Sequence, residues 1–273
     1  GLFETFRTYE GVPLLLEDHI DRLIESASAL EFADLPPRDD LRRAAADFIN
    51  RGTLSSRVVR LSLSYGNPVE GMAPSVWLSD RAVPYEAADY EEGIRVVISG
   101  VRRNEHSPIV RHKTFNQLEN ILAWRECLDR GAKECLFLNT SGHLAEGSRS
   151  NIFFVHAGEV FTPSEDCGLL PGITRRAVMG LLKGAGIGVR EGKFSSDRFK
   201  ACRESFATNS VMGVMPVVQV DDHIIGSGAP GEITRHVSAL YHEYVQQHVK
   251  RFASRFFASH AEGADDAAQT PSN

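Results

Sequence analysis

The sequence predicts an α+β protein in which short strands and helices are interspersed. Residues 1–9 and 57–65 alternate between apolar and polar side chains, as strands with one buried face do. Residues 17–30 place apolar side chains at helical spacing. Residues 134–161 contain short strand patterns separated by turns. Such a meander favours a small barrel-like sheet over a doubly wound parallel sheet.

Residues 1–100 are predicted to form a smaller N-terminal α+β lobe. Strands are expected at residues 1–9, 14–16, 57–65, 77–80 and 94–99. Helices are expected at 17–30 and 39–51, separated by Pro36 and Pro37. Residues 101–110 follow as a basic interdomain loop.

Residues 111–258 are predicted to form a larger C-terminal lobe with a barrel-like sheet and helices. Strands are expected at 134–139, 152–155, 160–161, 188–191, 205–208 and 214–220. Helices are expected at 114–130, 174–184, 196–202 and 234–257. The buried side of the first of these helices should comprise Leu118, Ile121, Leu122 and either Cys127 or Leu128. Residues 259–273 are small and polar and are predicted to be a disordered tail.

Composition restricts the class of protein. The net charge of -6 disfavours a general nucleic-acid binder, which usually carries a basic face. The chain has no apolar run of about 18 residues, so we expect no membrane span. The four cysteines form no CxxC pair, which indicates a reducing, cytoplasmic location without a zinc site. The chain starts within a strand pattern and lacks an initial methionine, so a preceding segment is expected to be missing.

Two residues and one loop have the chemistry of a cofactor site. Lys113 opens a helix-like segment, and in a partly desolvated pocket its amine would be available as a Schiff-base lysine. Glu146 lies in a Gly/Ser turn before a strand, where a carboxylate can keep a pyridine nitrogen protonated. The loop before residue 174 would offer free N–H groups to an anion. Each has an ordinary alternative, respectively a solvated lysine, a turn glutamate and a simple helix cap.

Other sites are disfavoured. The chain has no Walker loop, no GxGxxG motif and no GxSxG elbow. The run Asp221-Asp222-His223 resembles a metal ligand set, but a hairpin turn explains it better. We therefore expect no metal.

The residues together resemble the class IV, fold type IV, pyridoxal-phosphate (PLP) enzymes, over residues 1 to about 245. The matching segments are GLFETFRTYEG, EDHIDRL, EGSRSNIFF, LLPGITRR and TNS, in the family's order. The resemblance implies two α/β lobes with the cofactor between them, and a missing lead-in of about 25–35 residues. It implies that PLP is held by Arg22, Lys113, Glu146, Asn151, Ile173, Thr174, Asn209 and Ser210.

The family contains aminotransferases and a lyase, and short segments favour the lyase. Branched-chain enzymes typically have a tyrosine five residues after the lysine, where this chain has Leu118. D-amino-acid enzymes typically carry an Arg-x-His pair in the loop that here reads GNPVEG. Transaminases more often have a glutamate at the position of Gly213.

The resemblance implies an aminodeoxychorismate lyase that releases pyruvate and leaves 4-aminobenzoate, a folate precursor. A branched-chain or D-amino-acid aminotransferase is the alternative, and a non-catalytic PLP-binding paralogue is a third reading. The implied partner is a small-molecule amino substrate, and the implied assembly is a homodimer. Charge and position suggest Arg102, Arg103 and Arg111 as contacts for the substrate carboxylates, and the layout that the resemblance implies adds Thr5.

Overall fold

The structure is a computed structural model that describes the backbone of residues 1–266 and the side chains of residues 1–67 and 69–253. In that part the helices are α1 Leu16–Ala29, α2 Arg38–Arg51, α3 Ala87–Glu92, α4 Leu118–Asp129, α5 Ile173–Gly184, α6 Ser196–Lys200 and α7 Glu232–Asp266. Short 3₁₀ turns lie at Pro68–Glu70 and Glu165–Cys167. None of the helices in residues 1–266 combines the length and apolar composition needed to cross a bilayer.

The first sheet contains four antiparallel strands in the order β2-β1-β3-β4 within the described residues. The strands are β1 Leu2–Tyr9, β2 Val12–Pro13, β3 Val58–Leu63 and β4 Val76–Arg81. Helices α1 and α2 pack on one face of this sheet through an apolar cluster that includes Phe6, Ile20 and Leu41. Burial of this face is what holds the two helices against the sheet.

The second sheet is mixed. Its strands are β5 Ile94–Arg103, β6 Glu134–Asn139, β7 Leu144–Gly147, β8 Asn151–His156, β9 Glu159–Pro163, β10 Val189–Gly192, β11 Glu204–Asn209, β12 Gly213–Val220 and β13 His223–Ile224. Over residues 1–266 the order is β10-β9-β8-β11-β12-β5-β6-β7, with β13 paired to β12. One face packs around Phe154, Phe161 and Phe194, and the other packs against α5 and α7. The α+β class predicted from the sequence is confirmed.

Several predicted boundaries were wrong. The strand expected at 14–16 is Val12–Pro13, and Leu16 begins α1. The loop expected at 101–110 begins only after Arg103, because β5 continues to that residue beside β6. The helix expected from residue 114 begins at Leu118. By contrast, the Asp221-Asp222 hairpin turn is confirmed by the pairing of β12 with β13.

The predicted buried face of α4 was also wrong, except for Cys127. The side chains of Leu118, Ile121, Leu122 and Leu128 are exposed, with relative exposures of 65%, 44%, 50% and 48%. Ala123 and Cys127 instead face the core. Helix α4 packs its small face against β5 and β6, and the described residues leave its larger apolar face uncovered.

The C-terminal tail also differs from the prediction. Helix α7 continues to Asp266, so residues 259–266 are helical in the structure rather than disordered. The rest of the predicted tail, residues 267–273, lies outside the described residues.

The two sheets divide the chain earlier than residue 100. Strand β4 ends the first sheet at Arg81, and β5, from Ile94, belongs to the second sheet. Helix α3 between them packs against β12 of the second sheet. We propose that the boundary between the two lobes lies between Arg81 and Ala87.

Candidate active site

A cavity of about 750 Å³ lies where the two sheets meet, and it collects most of the predicted site residues. The predicted residues in its wall are Thr5, Arg22, Arg103, Lys113, Glu146, Asn151, Ile173, Thr174, Asn209 and Ser210. The remaining two predicted substrate contacts, Arg102 and Arg111, are exposed and do not line this cavity. Arg102 precedes Arg103 on a strand, where neighbouring side chains point to opposite faces, and this explains why only one enters.

Main-chain hydrogen bonds to the first strand hold Lys113. The N–H of Phe3 donates to the carbonyl of Lys113 at 2.9 Å, and the N–H of Phe115 donates to the carbonyl of Gly1 at 2.8 Å. Leu2 and Thr114 form an isolated antiparallel bridge. The lysine therefore lies in a short extended segment beside β1 rather than at a helix start. Helix α4 begins only at Leu118, five residues later.

The environment of Lys113 makes its amine easier to deprotonate. Burial, and to a lesser extent Arg22, lowers the pKa of Lys113 to about 8 against the opposing effects of Glu4 and Glu146. The Nζ atom lies over the Phe3 ring, 4.8 Å from its centroid. About half of the amine is therefore neutral at pH 8, far more than at the ordinary lysine pKa of 10.5, and a nucleophilic or basic lysine needs this neutral form.

Glu146 lies within β7 and not in a turn, which corrects the sequence prediction. Its Oε2 accepts a hydrogen bond from the N–H of Leu170 at 3.0 Å, and its Oε1 lies 3.5 Å from Nη2 of Arg103. Burial raises the pKa of Glu146 to about 7, although Arg103 acts in the opposite direction. A cationic ring nitrogen next to this carboxylate would favour its ionised form.

Arg103 is therefore a neighbour of Glu146 rather than a free substrate contact. Its guanidinium is buried, lies 4.1 Å from the centroid of the Phe137 ring, and also reaches Glu119 at 3.4 Å. The charge of Arg103 offsets part of the cost of burying the Glu146 carboxylate.

Arg22 is held by a carboxylate that the sequence analysis missed. Its Nε and Nη2 donate to the two oxygens of Glu4 at 2.8 and 2.7 Å, and its Nη1 donates to the carbonyl of Pro171 at 3.0 Å. Nδ1 of His19 lies 2.6 Å from Oε2 of Glu4. Burial alone raises the pKa of Glu4, but Arg22 and His19 outweigh it and bring that pKa to about 2. Glu4 is thus ionised and fixes the direction of Arg22.

The start of α5 forms a polar cradle beside Arg22. Gly172 precedes the helix and has no side chain to cap it, so the first N–H groups of the helix are available. The hydroxyls of Thr174 and Ser210 lie 3.4 Å apart, and the buried hydroxyl of Thr208 has no hydrogen-bond partner among the described residues. Together with the Arg22 cation, this donor set suits a phosphate group.

Two asparagines shape the loops of the cradle. Nδ2 of Asn151 donates to the carbonyl of Leu170 at 2.9 Å, and a Cβ at Gly172 would lie only 2.0 Å from Oδ1 of Asn151. Oδ1 of Asn209 accepts from the N–H groups of Val211 and Met212 at 2.9 and 2.8 Å. Asn151 thus requires glycine at position 172, and Asn209 orders the turn that carries Ser210.

Of the residues that sequence reasoning missed, Glu4 left a readable signal. It shares the buried face of β1 with Leu2, Phe6 and Thr8, so the alternation itself placed a carboxylate in the core. A buried carboxylate needs a partner, which here is Arg22.

The groups in the cavity together fit PLP. The amine of Lys113 suits its aldehyde, the carboxylate of Glu146 suits its ring nitrogen, and Arg22 with the α5 cradle suits its phosphate.

We predict that Glu146→Gln changes the pH dependence of stability in the cofactor-free protein. The pKa of Glu146 is about 7 in the folded state against an ordinary 4.5, so the folded state binds this proton more tightly. Wild-type stability is therefore lost as pH rises from 4.5 to 7. The variant lacks this loss. As pH rises from 4.5 to 7, its free energy of unfolding should therefore increase by up to roughly 3 kcal/mol relative to that of wild type.

Urea denaturation at pH 5 and pH 8 checks this. Glu92→Gln, at an exposed glutamate that ends α3, is the matched control and should show no such change with pH. A difference between Glu146→Gln and wild type that is the same at both pH values would contradict the prediction.

Comparison with known proteins identifies the family. Residues 1–220 match the family model described as amino-transferase class IV. The chain is 34% identical over 254 residues to branched-chain-amino-acid aminotransferase-like protein 1 of Arabidopsis thaliana, covering 88% of this chain and 45% of that protein. The chain thus spans less than half the length of this relative. It is 28% identical to the aminodeoxychorismate lyase of Bacillus subtilis, covering 95% of this chain and 90% of the lyase.

A solved structure supports the same conclusion. The branched-chain amino acid aminotransferase of Thermobaculum terrenum in its PLP form is 26% identical, with a TM-score of 0.82, covering 92% of this chain and 86% of that chain. The family and the fold type IV architecture inferred from the sequence are confirmed. The chain belongs to the class IV aminotransferase family of PLP-dependent enzymes.

Proposed function

We propose that Lys113 is the residue that binds PLP covalently, and that the other cavity residues orient the cofactor. The Arg22 guanidinium, the first N–H groups of α5 and the hydroxyls of Thr174 and Ser210 hold the phosphate. Glu146 holds the ring nitrogen. The support is that these groups meet in one cavity, with Lys113 and Glu146 both carrying pKa values near neutrality.

Lys113 also moves the proton in the proposed reaction. When bound, PLP supplies an aldehyde that bonds covalently to amines and a protonated ring that accepts an electron pair. The substrate's amine would replace Lys113 in its bond to the cofactor, and the Lys113 amine so freed, with a pKa of about 8, would take the proton from the substrate carbon that bears the nitrogen. The ionised Glu146 keeps the ring nitrogen protonated.

The reaction we propose is that of a 4-amino-4-deoxychorismate lyase. Removal of the ring proton and cleavage of the bond to the enolpyruvyl oxygen aromatise the ring, which releases pyruvate and leaves 4-aminobenzoate. Lys113 can return its proton to the departing fragment. The observation that carries this choice is Gly213. Its φ is 69°, and a Cβ there would lie 2.6 Å from the Tyr241 ring, so position 213 has no room for the glutamate more often found there in transaminases.

An amino-acid aminotransferase is the second candidate. Two of the three named relatives favour it, since the Arabidopsis protein is called aminotransferase-like and the Thermobaculum terrenum structure is that of a branched-chain amino acid aminotransferase. The roles of Lys113 and Glu146 are the same in both reactions up to removal of the proton. The two candidates therefore differ in the substrate bound and in the bond that breaks next.

We predict that Lys113→Ala abolishes the absorbance band of the covalent lysine–PLP linkage. Among the described residues, no lysine besides Lys113 lines the cavity. Turnover should fall more than about 100-fold, because a general base typically contributes at least that factor. Lys183→Ala, at an exposed lysine in α5 outside the cavity, should keep both band and activity. Unchanged absorbance in Lys113→Ala would rule out its assigned role.

Product analysis of the PLP-loaded full-length protein discriminates between the two reactions. We expect 4-aminobenzoate and pyruvate from aminodeoxychorismate, and no glutamate from branched-chain or D-amino acids with 2-oxoglutarate. Glutamate formation without any 4-aminobenzoate would overturn the lyase proposal in favour of the aminotransferase. Neither product, despite a normal lysine–PLP band, would favour a non-catalytic protein.

We propose a cytoplasmic homodimer in which the exposed apolar face of α4 is covered by a second copy. Large apolar patches on a protein surface usually mark contact sites.

We predict that Leu122→Glu shifts the sedimentation coefficient of the protein from that of a dimer to that of a monomer. Leu54→Glu, at an exposed leucine outside α4, is the control. A dimer that survives Leu122→Glu at low micromolar concentration would contradict the use of this face.

A further inference from the structure

Arg149 is a cation in the cavity wall that has no acidic partner among the described residues. Of the other arginines in the wall, Arg22 is paired with Glu4 and Arg103 lies beside Glu146 and Glu119. Arg60 and Arg81 also lack a carboxylate partner among the described residues, but Arg60 lies over the Phe3 ring and Arg81 donates to the carbonyl of Ala82. No carboxylate oxygen of the described side chains lies within 4.0 Å of the Arg149 guanidinium. An unpaired guanidinium that lines a substrate-sized cavity is available to an anionic group.

Two contacts hold the guanidinium of Arg149 in place. It lies over the indole ring of Trp124, 4.6 Å from the ring centroid, and its Nη2 donates to the carbonyl of Lys133 at 3.3 Å. Trp124 also lines the cavity. Stacking on an aromatic face restricts the side chain while leaving N–H groups at the edge of the guanidinium free.

The backbone of Arg149 is fixed as well. Its N–H donates to Oε2 of Glu134 at 3.3 Å, and its carbonyl accepts from Nδ2 of Asn209 at 3.1 Å. Glu134 is buried and also accepts from the hydroxyls of Ser148 and Ser150, at 2.5 and 2.8 Å. The turn that carries Arg149 is therefore rigid, and little side-chain freedom remains to be lost when an anion binds.

We propose that Arg149 is a specificity-determining residue that binds the carboxylate of a flat, six-membered-ring substrate. This inference rests on the proposed lyase function and identifies a substrate contact for it. The planar fork of a guanidinium matches the two oxygens of a carboxylate. Trp124 and Tyr85, which also lines the cavity, provide aromatic surface next to that charge. The combination suits a ring with an attached carboxylate better than a branched aliphatic side chain.

The position of Arg149 in the chain fits this role. It lies three residues after Glu146, so the loop that leaves the proposed ring-nitrogen contact leads directly to the proposed carboxylate contact. Arg102 and Arg111, which sequence reasoning proposed for such a contact, lie outside the cavity.

The test measures binding of 4-aminobenzoate and of uncharged 4-aminobenzamide to the PLP-loaded enzyme by calorimetry. The wild type should prefer the carboxylate by about 10- to 100-fold, the range expected for hydrogen bonds to a charged group. Arg149→Met should lose this preference, and Arg149→Lys should retain part of it. Arg203→Met, at an exposed arginine outside the cavity, should keep it in full. In turnover, Arg149→Met should raise KM for the substrate more than it lowers kcat.

An unchanged preference in Arg149→Met, or no preference in the wild type, would overturn the role of Arg149. The lysine–PLP band and the urea midpoint of each variant show whether it is folded. If Arg149→Met is not folded, the binding preference of Arg149→Lys still tests the role of Arg149. Failure of the lyase proposal is seen separately, as wild-type enzyme that makes no 4-aminobenzoate from aminodeoxychorismate.

Discussion

The ion pair between Glu4 and Arg22 is the contact on which the arrangement of the site depends. Glu4 belongs to β1 in the first sheet, and Arg22 reaches from α1 to the carbonyl of Pro171 just before α5. The pair therefore connects the first sheet to the helix start that flanks the second. Both charges are costly to bury singly, so loss of either one would leave the other uncompensated.

Each sheet positions one of the two groups whose pKa values lie near neutrality. Lys113 is attached through main-chain bonds to β1, whereas Glu146 is a residue of β7 in the second sheet. Enclosure between the sheets lowers the pKa of Lys113 to about 8 and raises that of Glu146 to about 7. Burial favours the neutral form of both groups, and the charges of Arg22 and Arg103 adjust the outcome.

The family resemblance, and not the local patterns, selected Lys113, Glu146 and Thr174, because each residue alone had an ordinary alternative. The structure brings the three into the wall of one cavity. Tertiary contacts decided the rest. The exposed face of α4 could not be inferred from periodicity, since Leu122 and Ala123 are both apolar and only packing selects between them. Glu134 lies in a strand that is buried on both faces, so no alternation distinguished it. The place of Arg149 in the cavity wall could not be predicted, because it depends on its tertiary neighbours, such as Trp124.

The attachment of Lys113 has a consequence for evolution. Its position is set by hydrogen bonds of the main chain to Gly1 and Phe3, which most amino acids at neighbouring positions can preserve. The side chains that follow it, such as the exposed Leu118, can then change without displacing the amine. A lineage can thus change the side chains near the cavity while keeping the Lys113 amine in place. Such decoupling would let relatives with different named reactions share a single ancestral framework.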